Sequence, residues 1–444
     1  MDYIQHSSNL GEYMPAFFQM YLKVDGRIDL NTCSDRDFTL FFHEYIHFLQ
    51  DLTTTYGLTQ CFYYGEYIQT AVNDIHKQNK GEFTVPIRYD KPSHHVKIAN
   101  IITDTTMGDC YSDARYFNVE NVSLDSIDNL PIDCPEIDHI HVVDVESREG
   151  DFFSFGAYAI KESTAYILER LVARDYEESP EFPYCSAEKI VEYIFPVFGK
   201  NILNTLALCD ISLMFSNPAE VFYTTLMQLK RKNYVPTKPH DLYAQLKNAK
   251  VDSFGKIADP FSHYRMVAEE ARKKFKSYFY TGEHSDLHQA YYEWIDRLFD
   301  FSINMRINEP SFLLDLCNDG YVRLNNTFSR LVNNLGSPLI RNMRQDYFSI
   351  KPDGIGGWTS EVMKSVSQIH ELLHDGKLQC SLYPWCVNSD NEQKEEPAFE
   401  PINPSIEICL HKPWERCNSN DLCPFAMLWK NWNLVGYIPK IVEL

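Results

Sequence analysis

The segment Phe41–Asp51, "FFHEYIHFLQD", places several ionisable residues within a run that is otherwise mostly aromatic or aliphatic. When the segment is arranged as a helix at about 100° per residue, His43, Glu44, His47 and Asp51 fall on one narrow stripe and apolar side chains fill the remaining circumference. A buried charge is costly unless a partner or a metal ion compensates it. The segment therefore predicts an interior helix that carries a single functional face.

The residues that flank this segment predict where the helix begins and ends. Ser34 has the side chain of an N-cap, and Asp37 stands three residues later in the capping-box position. The helix should therefore begin just after Ser34 and run to about Asp51. A second helical stretch is expected from about Leu58 to Gln78, so that the two helices are neighbours in the chain.

The histidine spacing points to a metal site on the first helix. His43 and His47 are one turn apart, which is the spacing that lets two imidazoles bind one zinc ion. Glu44 stands beside them, where a carboxylate can take a proton from a water that attacks a carbonyl group. The residues spell "HEYIH" and resemble the HExxH signature of the zincin metallopeptidases, with uncharged flanks that also suit the family pattern. The resemblance implies zinc-dependent hydrolysis of a peptide bond, with His43 and His47 as ligands and Glu44 as general base.

In the gluzincin branch of the zincins, the third zinc ligand is a glutamate on a later helix, and two residues compete for that role. Glu66 follows His47 after 18 intervening residues, a spacing found in one aminopeptidase branch, but its neighbours differ from that pattern. Glu162 lies in "AIKESTAYILE", within a helix predicted over residues 152–177, and resembles the ligand of the second gluzincin helix. We favour Glu162 and keep Glu66 as the alternative. The predicted helix face of Glu162 also carries Phe155, Ala159, Ala165, Tyr166 and Glu169.

Further polar residues are candidates for supporting roles around such a metal. Asp51 and Asp210 are acids in apolar helical segments, and each could accept the free N–H of a ligating histidine. The predicted strand "HIHVVDV" before Glu162 could be the sheet edge along which zincins lay an extended substrate. A donor to the developing oxyanion is also needed. The candidates for this donor are His263, Tyr264, His288 and Tyr166.

A second HExxH match, formed by His370, Glu371 and His374, is the weaker candidate for the catalytic site. Asp375 and Gly376 follow it directly, and this pair is expected to end the helix and to interrupt the apolar flank of the pattern. His94 and His95 are interpreted as a loop pair.

Cysteines crowd the last part of the chain, which holds five of the twelve. Five cysteines in one short region favour a second, structural zinc site, although their spacing is wider than the usual CxxC pairs. The alternative is a tail of buried, reduced thiols packed with tryptophans. The five are Cys380, Cys386, Cys409, Cys417 and Cys423.

Length and element pattern predict an α+β protein with more than one region. A chain of 444 residues is longer than a single small core requires. We predict a zincin-like catalytic domain over 1–230, mostly helical with a small sheet formed within Phe83–Val145. A helical region over 231–345 and a Cys/Trp-rich C-terminal region over 346–444 are expected to follow.

Charge and hydropathy restrict the partners. A net charge of −21 repels nucleic acids and anionic membranes, and no apolar run approaches the length that spans a bilayer. The N-terminal residues lack the pattern of a secretory signal, so a cytoplasmic location is expected. The predicted partners are a protein or peptide substrate and a regulatory protein. The alternative function is a non-catalytic interaction or regulatory protein with a structural metal site.

Overall fold

The helices and strands come from a computed structural model, which describes residues 6–7, 11–14, 18–78, 80–87, 94–110, 116–128, 139–253, 255–278, 289–318, 320–357, 359–389, 404–418 and 423–441. The helices are α1 (Asp35–Thr53), α2 (Thr55–His76), α3 (His94–Met107), α4 (Ala157–Val172), α5 (Glu181–Tyr184), α6 (Ser186–Ile194), α7 (Pro196–Gly199), α8 (Ile202–Ser212), α9 (Pro218–Arg231), α10 (His240–Leu246), α11 (Pro260–Ser277), α12 (Gln289–Asn308), α13 (Phe312–Asp315), α14 (Asn326–Leu335), α15 (Ser360–Asp375), α16 (Tyr383–Ser389), α17 (Ile406–His411) and α18 (Pro424–Asn431). The strands are β1 (His6–Ser7), β2 (Gly11–Met14), β3 (Gln19–Leu22), β4 (Gly81–Val85), β5 (Val119–Ile127), β6 (Ile140–Ser147), β7 (Phe152–Phe155), β8 (Val251–Ser253), β9 (Lys256–Ala258), β10 (Leu339–Arg341), β11 (Tyr347–Phe348) and β12 (Tyr437–Ile441). This mixture of helices and small sheets agrees with the predicted α+β class.

Helix α1 forms where the sequence predicts it, and its cap is the predicted one. The Ser34 hydroxyl accepts a hydrogen bond from the Asp37 backbone N–H at 3.0 Å, and the acidic first turn suits the positive end of the helix dipole. The helix ends at Thr53, and the Thr54 side chain then caps α2 by accepting from the Gly57 N–H at 3.1 Å. The helix is buried on its polar and apolar sides alike, as predicted for an interior helix.

A five-stranded sheet in the order β1-β2-β3-β10-β11 lies near this helix. Strands β2 and β3 are antiparallel, whereas β3 and β10 are parallel and join residues more than 300 positions apart, such as Met20 and Ile340. Helix α1 packs against β2 and β3 on one side and against α2, α4 and α12 on others. These contacts place the histidine face of α1 between a sheet and a second long helix.

A three-stranded antiparallel sheet, β5-β6-β7, precedes α4 and corrects two predictions. Strand β6, which contains "IHVVDV", lies in the middle of this sheet and pairs with β5 and with β7. From Val143 to Glu146, β6 therefore has a strand on each side, and this part of it offers no free edge to an extended substrate. The helix predicted to begin at residue 152 begins at Ala157, because Phe152–Phe155 pairs with β6 as a strand.

Gly156 separates that strand from α4. A Cβ atom at this position would lie 2.1 Å from the Met107 carbonyl oxygen, so only glycine allows α3 and the start of α4 to approach this closely. Helix α3 itself was not predicted. His94 and His95 form its first residues instead of a loop, and α3 interrupts the sheet that was predicted over Phe83–Val145.

Strand β4 pairs in parallel with β12 near the C-terminus, and not with the local strands. Buried apolar residues from Tyr13 to Tyr437 belong to one connected core, which all three predicted regions share. The domain boundaries near 230 and 345 stay a prediction. No helix within the described ranges combines the length and the apolar character needed to cross a membrane.

Candidate metal centre

Helices α1 and α4 bring His43, His47 and Glu162 together. One Glu162 oxygen lies 3.3 Å from His43 Nε2, and the other lies 3.5 Å from His47 Nε2. All three side chains are buried, and their ligand atoms lie within 4.8 Å of one another. Across the part of the chain that the structure describes, no other group of three histidines, cysteines or acids is as close. The alternative ligand, Glu66, lies outside this group and pairs with Lys274 at 2.8 Å on a half-exposed surface.

Each histidine is oriented by a second polar partner. His43 Nδ1 lies 2.7 Å from a Glu169 carboxylate oxygen, and His47 Nδ1 lies 2.9 Å from the side-chain oxygen of Gln50. The Gln50 amide donates in turn to the Lys161 carbonyl at 3.1 Å. Each ring therefore turns its Nε2 towards Glu162, the arrangement that metal-binding histidines use. The i+7 spacing of Glu169 from Glu162 predicts that both lie on one helix face, but nothing in the sequence marks Glu169 or Gln50 as a partner of a histidine.

Asp51 and Asp210 do not have the predicted role. Asp51 accepts from the Lys161 ammonium at 2.7 Å, and this buried pair ties α1 to α4. Asp210 receives two hydrogen bonds from Arg306, at 2.8 and 3.0 Å, and one from the Tyr243 hydroxyl at 2.7 Å. Because other groups hold the Nδ1 atoms of both histidines, these two acids act as structural ion-pair partners.

Glu44 lies beside the ligand group. It is 1% exposed, and its Oε2 accepts no hydrogen bond from any residue in the described ranges. Burial raises the pKa of Glu44 well above the ordinary 4.5; the nearby His43 opposes this rise, and the charge of Glu162 adds to it.

The electrostatics of the group favour a cation. Burial lowers the pKa of His43, but the hydrogen bonds that its ring donates to Glu162 and Glu169 outweigh this effect and hold the pKa well above 6.5. Three buried or nearly buried carboxylates, on Glu44, Glu162 and Glu169, thus surround two imidazoles. The carboxylates of Glu162 and Glu169 stabilise the proton of His43, so a bound cation must replace that proton if their negative charge is to stay compensated away from water. A zinc ion fits both this charge and the donor set of two imidazole nitrogens and a carboxylate.

One tyrosine beside the ligand group was not among the residues predicted from the sequence. Tyr184 lines the same cavity as His43 and Glu44, and its ring centroid lies 6.0 Å from that of His43. Burial raises the pKa of Tyr184 well above 10, and the charge of Glu162 adds to this, so the phenol keeps its proton and can donate. Tyr184 ends the four-residue helix α5, and no periodic pattern marks it in the sequence.

The donors predicted from the sequence lie elsewhere. The Tyr264 hydroxyl donates to the Leu52 carbonyl at 2.8 Å, and Tyr166 accepts from the Ser179 N–H at 3.4 Å. Among the described residues, neither of these tyrosines nor His263 lines the cavity. His288 lies outside the described residues.

The cavity beside the ligand group is small. It has a volume of 40 Å³ and is bounded in part by Arg36, Glu169 and Glu177. About three water molecules fit this volume, whereas pockets that bind drug-sized ligands measure roughly 300 to 1,000 Å³. The centre can therefore hold an ion and water in this conformation, but not a peptide.

The second HExxH match has a different environment. The rings of His370 and His374 lie 4.4 Å apart between centroids, and His374 stacks on Tyr67 at 4.3 Å. Burial lowers the pKa of His374 to about 3 and also lowers that of His370. Glu371 lies 3.4 Å from Lys364. Within the described residues, no third ligand completes a metal group here.

Comparisons of the chain with family models, with curated proteins and with solved structures found no match. The functional interpretation consequently depends on the motif and on the geometry around His43, His47 and Glu162.

Proposed function

We propose that this protein is a zinc-dependent metallopeptidase. His43, His47 and Glu162 would hold the ion, and Glu44 would act as the general base. The observation that carries the proposal is the convergence of three buried ligand atoms from two helices, with His43 and Glu162 separated by 119 positions in the chain. Three protein ligands that leave one position open are typical of catalytic zinc, whereas structural zinc usually has four.

Each residue around this centre has a separate role in the proposed hydrolysis of a peptide bond. A bound zinc ion supplies Lewis acidity and lowers the pKa of water towards about 7. Glu44, whose Oε2 has no described partner, takes the proton from the attacking water and delivers it to the departing amine. The burial that raises the pKa of Glu44 makes its carboxylate a stronger base than an exposed glutamate. The Tyr184 hydroxyl donates a hydrogen bond to the oxyanion that develops on the scissile carbonyl.

Substrate entry requires a conformational change. The cavity of 40 Å³ is bounded by the chain that follows α4, including Asp175, Glu177 and Ser179. Arg36 at the start of α1 contacts Glu177 across 3.4 Å, and both side chains are substantially exposed. Exposed ion pairs contribute at most about 1 kcal/mol, so this contact is weak enough to break when a substrate binds. We propose that residues 173–180 move outwards to admit a protein or peptide of the cytosol.

Replacing Glu44 tests the proposal, and the chain offers a matched control. Glu44→Gln keeps the size and polarity of the side chain but cannot accept the proton, so zinc should remain bound while hydrolysis of casein and of a peptide library is lost. Glu371→Gln makes the same change in the second HExxH match and should leave hydrolysis unchanged. Equal loss in both variants, or hydrolysis by Glu44→Gln at the wild-type rate, would contradict the assignment.

The small cavity also favours one alternative, a non-catalytic protein in which the same ion is structural. Structural zinc sites are closed to solvent, whereas catalytic sites keep an open position. This alternative predicts that the wild type contains zinc, hydrolyses none of the peptides and unfolds at a lower temperature after zinc removal. Metal analysis together with the Glu44→Gln comparison separates the two functions.

A further inference from the structure

The cavity beside the candidate metal centre is lined by more acids than cations. Asp175 and Glu177, from the segment that follows α4, lie in its wall together with Glu44 and Glu169. Arg36 is the one cation among the described residues that line it. A charged group that enters this cavity therefore meets a negative potential, which low-dielectric walls strengthen.

Asp175 and Glu177 are the two acids of this wall that can bind a further cation. Glu169 is already engaged with His43 at 2.7 Å. Asp175 is exposed and forms no hydrogen bond or ion pair with the residues that the structure describes. Glu177 contacts Arg36 across 3.4 Å, and both side chains are substantially exposed. Water and an incoming side chain thus reach both carboxylates.

The arginine of the same segment is directed to another partner. The Arg174 guanidinium lies 4.2 Å from the centre of the Tyr321 ring. A third acid, Glu181, pairs with Lys189 at 2.7 Å. The segment therefore presents two acids to the cavity and holds its own cation elsewhere.

A buried polar atom in the same cavity also points to a ligand. Glu44 is almost fully buried, and its Oε2 accepts no hydrogen bond within the described ranges. The proposed function places the attacking water and the scissile bond beside this atom. When residues 173–180 move outwards to admit a substrate, Asp175 and Glu177 would line the entrance of the opened cleft.

We propose that the substrate carries a lysine or arginine side chain close to the scissile bond, and that Asp175 and Glu177 bind this cation. The inference rests on the proposed function, because it names the substrate class of that same site. Arg36 holds the position that the substrate cation would take on Glu177. Arg36 can release Glu177 because Asp37 lies 3.8 Å from its guanidinium on the other side of the pair. The net charge of −21 would also attract basic peptides from a distance.

The length of α1 limits where the basic residue lies in the substrate. Arg36 and His43 are seven positions apart in the chain, which corresponds to about 10 Å along a helix. An extended peptide spans this distance in about three residues. The basic residue should therefore lie within about three residues of the bond that is cleaved.

Cleavage of a mixed peptide library tests this preference on the full chain. The library contains lysine, arginine, glutamine and glutamate in equal amounts, and mass spectrometry identifies the residues that flank each cleaved bond. An exposed ion pair favours binding by up to about fivefold, so two carboxylates should enrich lysine and arginine over glutamine by about 5- to 25-fold. The enrichment should decrease at about 1 M salt, where the screening length is only about 3 Å.

Three variants separate a local effect from the total charge. Glu177→Gln should reduce the enrichment by up to about fivefold. Glu82→Gln is the matched control, because it removes the same charge from another exposed ion pair, with Lys440 at 2.9 Å, and it should keep the enrichment. Arg36→Gln removes the cation that competes for Glu177 and should raise kcat/KM for basic peptides.

The outcomes distinguish this inference from the proposed function. Hydrolysis without enrichment of basic residues, or an equal reduction in Glu177→Gln and Glu82→Gln, would overturn the inference and leave the proposed hydrolysis intact. Enrichment of glutamate, together with slower cleavage by Arg36→Gln, would also overturn it, since Arg36 would then bind a substrate carboxylate. If the wild type hydrolyses no peptide, the proposed function fails and this inference fails with it.

Discussion

Replacing Gly11 by alanine should slow peptide hydrolysis without removing the metal. Gly11 begins β2, and a Cβ atom on its backbone would lie 2.3 Å from Glu44 Oε1 and 3.0 Å from the carboxylate carbon. The φ angle of Gly11 lies outside the left-handed region that favours glycine, so alanine fits the backbone without strain. The added methyl group therefore acts mainly on the Glu44 carboxylate.

The magnitude follows from the size of the clash. Ordinary contacts at this type of position begin at 3.4 Å, so the Glu44 oxygen must retreat by about 1 Å. A displacement of about 1 Å of a catalytic group reduces the rate by about 100-fold, which corresponds to about 2.7 kcal/mol in the activation free energy. Overpacking of a buried site costs about 1–3 kcal/mol of stability. The loss of stability in Gly11→Ala should lie at the low end of this range, because the carboxylate of Glu44 can rotate away from the added methyl group.

The assay compares kcat, KM, zinc content and Tm for the wild type, Gly11→Ala and a control. Gly356→Ala is the matched control, because a Cβ atom at Gly356 meets no heavy atom within 4 Å. We expect kcat to fall in Gly11→Ala with little change in zinc content, and the control to behave as wild type. An unchanged kcat would refute the placement of Glu44 in the chemistry, and a parallel loss of zinc would show that the clash disturbs the ligands instead.

Four further predictions concern the surroundings of the centre and the fold. Glu169→Gln removes the carboxylate that orients one histidine and should weaken zinc binding by about 10–100-fold in competition with a chelator. Tyr184→Phe should lower kcat by about 100-fold with zinc retained, and an unchanged kcat would exclude Tyr184 as the oxyanion donor. Asp210→Asn leaves the buried Arg306 guanidinium uncompensated and should cost about 3–5 kcal/mol of stability in urea unfolding, while zinc content stays the same. Burial alone would raise the pKa of Glu361, but Lys351 outweighs this effect and lowers the pKa. The stability that this carboxylate contributes is therefore present above pH 4.5 and is lost as the pH falls through the lower pKa of the folded state. The urea midpoints of the wild type and of Glu361→Gln should consequently converge in acid.

Local sequence signals were sufficient for the part of the site that lies on long helices. The Ser34 cap and the polar stripe fixed the position and burial of α1, because capping and helical periodicity act over only a few residues. The same periodicity placed Glu162 and Glu169 on one face of α4. The structure brings Glu162 to His43 and His47, whereas the ligand role of these three residues stays a prediction.

Strand pairing could not be predicted in the same way. Pairings such as β3 with β10 and β4 with β12 join residues that lie hundreds of positions apart, and a single strand carries no signal for its partner. The sequence therefore predicts "HIHVVDV" as a strand, but its position in the middle of a sheet depends on its partner Phe152–Phe155. The apolar pattern of Phe152–Phe155 fits a helix as well as a strand, so this partner was predicted as part of a helix. Tyr184 was missed for a related reason, since a four-residue helix offers no periodicity.

Asp51 and Asp210 show why a buried acid is ambiguous in a sequence. An acid within an apolar helix needs a partner, but the partner can equally be a metal-binding histidine or a distant cation. Their cations, Lys161 and Arg306, lie 110 and 96 residues later in the chain, and both sit on other helices that pack near α1. Arg306 also donates to the Thr53 carbonyl, so these two ion pairs hold the last turn of α1 against its neighbours. Because His43 and His47 lie on the same helix, the two acids support the proposed centre by positioning α1, without contacting either histidine.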